Sequence, residues 1–161
     1  MTGDGADPTR TPSEPIEPPS WFSTNAAVSD PGVYDAFDAD WPGCWERAGD
    51  LLDWQTPYEP AFRGGENPPF EWFPGGELNA SVNCLDRHLP ERKNQRALVW
   101  EGQLDDRRSY TYLELYREVN ALAAGLRELG VEEDDVVTIY LPMVPELPAA
   151  MLACARLGGV H

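Results

Sequence analysis

The most reactive stretch of the sequence is Asn83-Cys84-Leu85-Asp86-Arg87-His88-Leu89. Cys84 and His88 stand four positions apart, a spacing that on a helix puts thiol and imidazole on one face and suits a thiolate–imidazole pair or half of a metal site. A tetrahedral zinc needs two further ligands, and neither Cys154 nor His161 is spaced to supply them. The reading adopted is plainer: Cys84 buried, His88 satisfied by hydrogen bonds, and Asp86 and Arg87 paired with neighbours.

Three glycine pairs, Gly64-Gly65, Gly75-Gly76 and Gly158-Gly159, invite a phosphate-loop reading. A phosphate cradle lies between a strand and a helix amino terminus, where free N–H groups converge. The first two pairs fall in irregular chain, the third follows a helix, and none has the serine, threonine and lysine companions of a nucleotide loop. All three are read as turns. The run Glu132-Glu133-Asp134-Asp135 is read as a solvated acidic turn rather than a cation site, because carboxylates crowded this way disfavour one another.

The elements that would position these residues differ between the two halves of the chain. Residues 1–20 hold five prolines and four acidic residues, with Ile16 as the only large apolar side chain. Such a stretch buries too little surface to offset its ordering entropy and is expected to be a disordered leader. From Trp21 to about Phe73, aromatic residues are separated by proline and glycine; short helices are expected around Val33–Phe37 and Trp41–Leu52, followed by irregular chain. Aromatics on irregular chain act as docking anchors, each able to bury on the order of 150–250 Å². Base stacking on nucleic acid would also need basic neighbours, and here the neighbours are acidic.

The second half has regular periodicity. Ala97–Glu101 reads as a strand, followed by a polar turn and a second extended piece at Ser109-Tyr110. Thr111 stands three residues before Glu114, capping-box spacing for a helix that carries Leu115, Val119, Leu122, Leu126 and Leu129 on one face and stops at Gly130. Val136–Leu141 is expected to be a strand buried on both faces. Pro145 opens a second helix, Gly158 closes it, and Val160 begins a further strand.

This βαβ order implies an α/β fold with a parallel sheet and right-handed crossovers. Between Leu147 and Leu157 the only charged residue is Arg156, so the second helix is expected to need cover on every side. Nothing else in the 161 residues supplies that cover. The chain is therefore expected to be truncated, with apolar surface that makes it poorly soluble alone.

The charge balance narrows the partners. Asp and Glu number 28 against 12 Lys and Arg, a formal net charge of −16, and Lys93 is the only lysine. An acidic field repels phosphate backbones and anionic membrane surfaces, which excludes a nucleic-acid binder and a membrane partner. At molar salt the Debye length falls to about 3 Å and the self-repulsion is screened, so a halophilic source is expected. No apolar run reaches the 18 or so residues of a membrane helix and the first twenty residues are too polar for a signal peptide, so a cytoplasmic location is expected. Three distant cysteines, Cys44, Cys84 and Cys154, suggest neither a disulfide framework nor a paired-cysteine metal site.

Several peptides occur together in one order: Leu52-Asp53-Trp54 with Pro57-Tyr58, Trp72-Phe73 with Gly76 and Leu78-Asn79, and the Asn83–Leu89 run. Then come Trp100-Glu101-Gly102, Thr111-Tyr112 with Glu114-Leu115, Asp135-Val136-Val137, Ile139-Tyr140 with Pro142-Met143-Val144-Pro145-Glu146, and Ala150–Arg156 with Gly158 and Val160-His161. This series resembles the amino-terminal part of AMP-forming acetyl-CoA synthetases, in the adenylate-forming superfamily, and the composition points to a haloarchaeal-type member.

The resemblance implies a partial large domain of that superfamily, divided into a leader (1–20), an aromatic-rich irregular cap segment (21–90) and the start of the adenylation domain (91–161). For the full-length protein it implies an acid–thiol ligase that joins acetate to CoA through acetyl-adenylate, with ATP, magnesium and CoA. The phosphate loop, the acetate-pocket tryptophan, the magnesium ligands, the CoA-contacting arginines and the mobile lysine-bearing domain of such enzymes are all expected beyond His161. No catalytic, cofactor-binding or metal-ligating residue is thus assigned in this chain, which alone is expected to bind none of these groups and to be inactive. Two other readings stay open: propionate or another short-chain acid as substrate, and a non-catalytic remnant or interaction module that binds through its sheet edge and aromatic segment.

Overall fold

A computed structural model describes residues 16–65 and 68–161 of the chain. The expected disordered leader lies, for residues 1–15, outside the described residues, and its last residue, Ser20, opens a helix that the sequence reading did not anticipate. The chain divides into two compact units, one ending at Trp41 and one running from Pro42 to His161.

The first unit contains α1 (Ser20–Asn25) and α2 (Gly32–Ala39). The carboxylate of Asp30 accepts a hydrogen bond from the Gly32 N–H at 2.9 Å, satisfying one of the orphan donors at the start of α2. In α1 the rings of Trp21 and Phe22 meet edge to face, 5.9 Å apart.

The second unit begins with α3 (Cys44–Gly49), shorter than the expected Trp41–Leu52 because Pro42 and Gly43 form a turn that delays its start. The stretch expected to be irregular contains a minimal antiparallel ribbon, β1 (Phe62–Arg63) against β2 (Glu71–Trp72), together with a bridge between Thr56 and Glu77. Strands of two residues carry no readable alternation, so periodicity could not reveal them. The ribbon is organised by rings: Trp54, Tyr58 and Phe73 pack mutually with centroids 4.8–5.5 Å apart, and Phe62 lies 4.8 Å from Trp72. These aromatics pack first on each other. The chain passes so close to them at Gly76 that a Cβ there would sit 2.7 Å from Trp54 and 2.9 Å from Tyr58.

Next come α4 (Ala80–Cys84), a single 3₁₀ turn (Asp86–His88), α5 (Leu89–Arg92), and the antiparallel hairpin of β3 (Arg96–Glu101) and β4 (Arg107–Thr111). Thr111 then starts α6 (Tyr112–Glu128) with a complete capping box: its hydroxyl accepts from the Glu114 N–H at 3.2 Å, and the Glu114 carboxylate accepts from the Thr111 N–H at 2.8 Å. The Thr111 N–H first, and second the Thr111 hydroxyl, which donates to the same Glu114 oxygen at 2.8 Å, hold the Glu114 carboxyl below its ordinary pKa.

Of the expected apolar face of α6, Leu115 and Val119 are buried and Leu122 and Leu126 are half-buried, but Leu129 is 84% exposed. Leu129 is the C-cap, where the helix ends and the face turns away, and the seam is completed instead by Ala123. The last helix, α7 (Glu146–Leu157), ends at Gly158 with φ +78°, a left-handed conformation that costs an L side chain roughly 1–2 kcal/mol.

α6 packs on α7 on one side and on the hairpin on the other, and α4 packs on α7. The core at this junction is Leu85, Leu115, Val119, Ala123, Ala149 and Ala153. Each large aliphatic among them contributes about 1.5–3 kcal/mol by leaving water. The alanines let the two helix backbones approach closely.

Val136–Leu141 departs from expectation. Rather than a strand buried on both faces it is extended chain with one parallel bridge, Val136 to Val160, closed by bonds from Val137 N–H to Val160 O and Val160 N–H to Asp135 O, each 2.8 Å. Val137 and Ile139 are half-buried while Val136 and Tyr140 are 76% and 99% exposed. Apolar density showed that both faces favour burial, but among the described residues only one face meets a covering layer. Bridge, α7 and bridge still make the expected βαβ unit in its smallest form.

Candidate functional site

The chemically loaded run does not form a thiolate–imidazole pair. At Leu85 the backbone leaves the helix (φ −124°, ψ −62°), so Cys84 ends α4 while His88 lies in the next turn and the two no longer share a face. Cys84 is exposed, contrary to its expected burial, because Ser81 and Leu85 take the inward positions of that turn. His88 lays its ring against Tyr112, 5.1 Å between centroids. Asp86 and Arg87 do pair with neighbours, as expected.

Those pairings belong to a polar seam that ties residues 53–89 to α7. Asp53 and Asn83 exchange reciprocal bonds, Asp53 N–H to Asn83 Oδ1 at 2.8 Å and Asn83 Nδ2 to Asp53 O at 3.0 Å, and Arg87 donates to the same Asn83 oxygen at 2.9 Å. Arg156, on α7, donates both terminal guanidinium nitrogens to the two oxygens of Asp86 and stacks over Tyr116 at 5.2 Å. A guanidinium fork on a carboxylate fixes orientation as well as distance.

Asn79 completes the seam. Its Oδ1 accepts from the Ser81 and Val82 N–H groups at 3.0 and 3.2 Å, capping α4, and its Nδ2 donates to the Ala155 and Arg156 carbonyls at 3.0 and 3.3 Å, at the end of α7. Two buried groups in this seam lack a partner among the described residues: the Ser81 hydroxyl and the Arg156 Nε.

A second cluster joins the hairpin to the loop before α7. The Trp100 indole N–H donates to the Met143 carbonyl at 2.7 Å. Arg108 lies over the Trp100 ring at 4.9 Å and forks onto Glu146 at 2.6 and 3.2 Å. The hydrogen bond from Arg108 holds the Glu146 carboxyl below its ordinary pKa and raises that of Arg108.

The sequence reading missed Asn79, Arg108, Tyr116 and Glu146 as positioning residues. The one signal at hand was Arg156, the single charge on an otherwise apolar helix.

Gly64-Gly65 follows β1 in irregular chain, Gly75-Gly76 lies at the turn after β2 and Gly158-Gly159 at the end of α7, and none opens a helix. In the acidic turn, Asp135 folds its carboxylate onto the Glu132 N–H at 2.8 Å. Among the described residues no three His, Cys, Asp or Glu side chains come together to hold a metal ion. Burial raises the pKa of the Cys154 thiol, which makes it a poor nucleophile. No described helix is long and apolar enough to cross a membrane. The arrangement orients chain segments against one another.

Comparison with known proteins gives this scaffold its relatives. Residues 32–84 match the family model described as acetyl-coenzyme A synthetase N-terminus, and residues 85–161 match the AMP-binding enzyme model. An acetyl-coenzyme A synthetase of Gemmatimonas aurantiaca is 51% identical over 146 residues, covering 89% of this chain and 22% of that protein. One from Rubrobacter xylanophilus is 45% identical, covering 90% and 23%. The chain thus spans less than a quarter of the length of these relatives. Among solved structures, the acetoacetyl-CoA synthetase of Streptomyces lividans superposes with a TM-score of 0.71 at 31% identity, over 87% of this chain and 22% of that one. Over residues 32–161, where the two family models abut, the chain matches the amino-terminal segment of acetyl-coenzyme A synthetases within the AMP-binding enzymes.

Proposed function

We propose that the protein to which these residues contribute is an AMP-forming ligase that joins acetate to CoA at the expense of ATP, through acetyl-adenylate and with release of pyrophosphate. The observation that carries this reading is the match of residues 32–84 to the acetyl-coenzyme A synthetase amino terminus, continued without a gap by the AMP-binding enzyme match from residue 85. The relatives' names point to acetate over other short-chain acids, propionate being the alternative. Chemically, adenylation turns the acid oxygen into a good leaving group, and magnesium supplies charge neutralisation at the phosphates. In this reading the present residues bear none of the reacting groups; they position the helices on which the adenylation domain is built.

A cytoplasmic location and a salt-loving source belong to the same proposal, the source resting on the net charge of −16. The test is acetate-dependent formation of AMP and pyrophosphate by the complete protein, with propionate compared by kcat/KM. Absence of acetate-dependent AMP formation would sink the ligase reading, and a higher kcat/KM for propionate would move the substrate. The 161-residue chain assayed alone is expected to release no pyrophosphate.

A further inference from the structure

We infer that Asn79 is a positioning residue that acts across the junction of the two family matches, setting the place of the strand at Val160 from within the acetyl-coenzyme A synthetase segment. Its two amide atoms face opposite ways. Oδ1 caps α4 through Ser81 and Val82, a local role that serine or aspartate fills equally well. Nδ2 donates to the Ala155 and Arg156 carbonyls, 76 and 77 residues away. Those carbonyls belong to the last turn of α7, whose own capping bonds run from Gly158 N–H to Ala155 O and from Gly159 N–H to Cys154 O.

The next residue, Val160, makes the only parallel bridge among the described residues. Asn79 therefore fixes the turn from which the bridge departs. In open parallel sheets ligands bind beyond the carboxyl ends of the strands, the direction in which Val160-His161 points. The functional half of the inference rests on the ligase reading: displacing this strand misplaces whatever its carboxyl end presents to substrates.

Two substitutions separate the cap from the latch. Asn79→Ser keeps a capping oxygen and removes the donor; Asn79→Asp keeps the cap and the shape but turns an oxygen toward two carbonyls. Hydrogen exchange on the complete protein is expected to show Gly159 and Val160 amide protection falling about tenfold for Asn79→Ser and further for Asn79→Asp, with the α6 amides unchanged. In the same samples kcat with acetate falls about tenfold, since small misplacements far from the chemistry carry costs of that order or greater. Wild-type protection at Val160 in both variants overturns the inference, as does loss spread equally over α6, which would mark Asn79 as a general structural residue. If the wild-type protein proves inactive with acetate, the ligase reading fails, and the exchange experiment still decides the role of Asn79.

Discussion

Asp86 and Arg156, seventy positions apart, meet as a two-pronged ion pair in which the arginine side chain is 16% and the aspartate 28% exposed. This contact and Asn79 bind the segment before α5 to the last helix, and the Tyr116 ring behind the guanidinium leaves it little freedom.

Asp86→Ala is expected to destabilise the protein by about 1.5–3 kcal/mol, because it strands a half-desolvated guanidinium whose Nε already lacks a partner. Arg156→Ala should cost a similar amount, and the double variant little more than either alone. Thermal unfolding of the four species checks this; strictly additive losses would show that the two residues do not act through one another.

Thr111→Ala removes the α6 cap and is expected to cost about 1 kcal/mol, read by denaturant midpoint. Glu114 has its folded pKa lowered by the Thr111 bonds, so its contribution is present above the unfolded glutamate value of about 4.3 and is lost as pH falls through the lower folded value. Replacing Glu114 with glutamine should flatten the acid limb of the stability curve in that window. An unchanged limb would contradict the capping box.

Gly76→Ala is expected to destabilise by about 1–3 kcal/mol, since its methyl group meets the Trp54 ring and the Tyr58 Cβ at under 3 Å. Tryptophan emission should shift to the red as the ring cluster opens. Wild-type stability at this position would mean that the cluster yields.

Ser81→Ala should leave stability unchanged or raise it. The hydroxyl is fully buried and forms no hydrogen bond among the described residues, so its removal loses no bond and relieves a desolvated dipole. A fall in Tm of several degrees would reveal an unseen partner.

Raising KCl from 0.1 M to about 2 M is expected to raise Tm, because carboxylate repulsion over a net charge of −16 is screened once the Debye length is about 3 Å. A flat or falling Tm across that range would argue against a halophilic origin.

Sequence disclosed what repeats or caps. The α6 capping box, Gly130 and Gly158 as terminators, and the Leu115–Val119 stripe all follow from local rules that tertiary structure did not override. It did not disclose elements too short to have a period, such as Phe62–Arg63, nor partnerships across seventy or more residues such as Asn79 with Ala155. The expected burial of Cys84 failed because Ser81 and Leu85 take the inward positions of a turn whose backbone breaks at Leu85. Composition alone could not say which face of Val136–Leu141 would be covered.

The run from Val136 to Tyr140 alternates inward and outward, with Val137 and Ile139 on the sheltered side. A strand of this kind has parity. Deleting one residue from the acidic turn Glu132–Asp135 would reverse it, sending Val136, Thr138 and Tyr140 inward and putting a threonine hydroxyl against the helices. The length of that turn is therefore as strictly specified as the identity of any buried side chain.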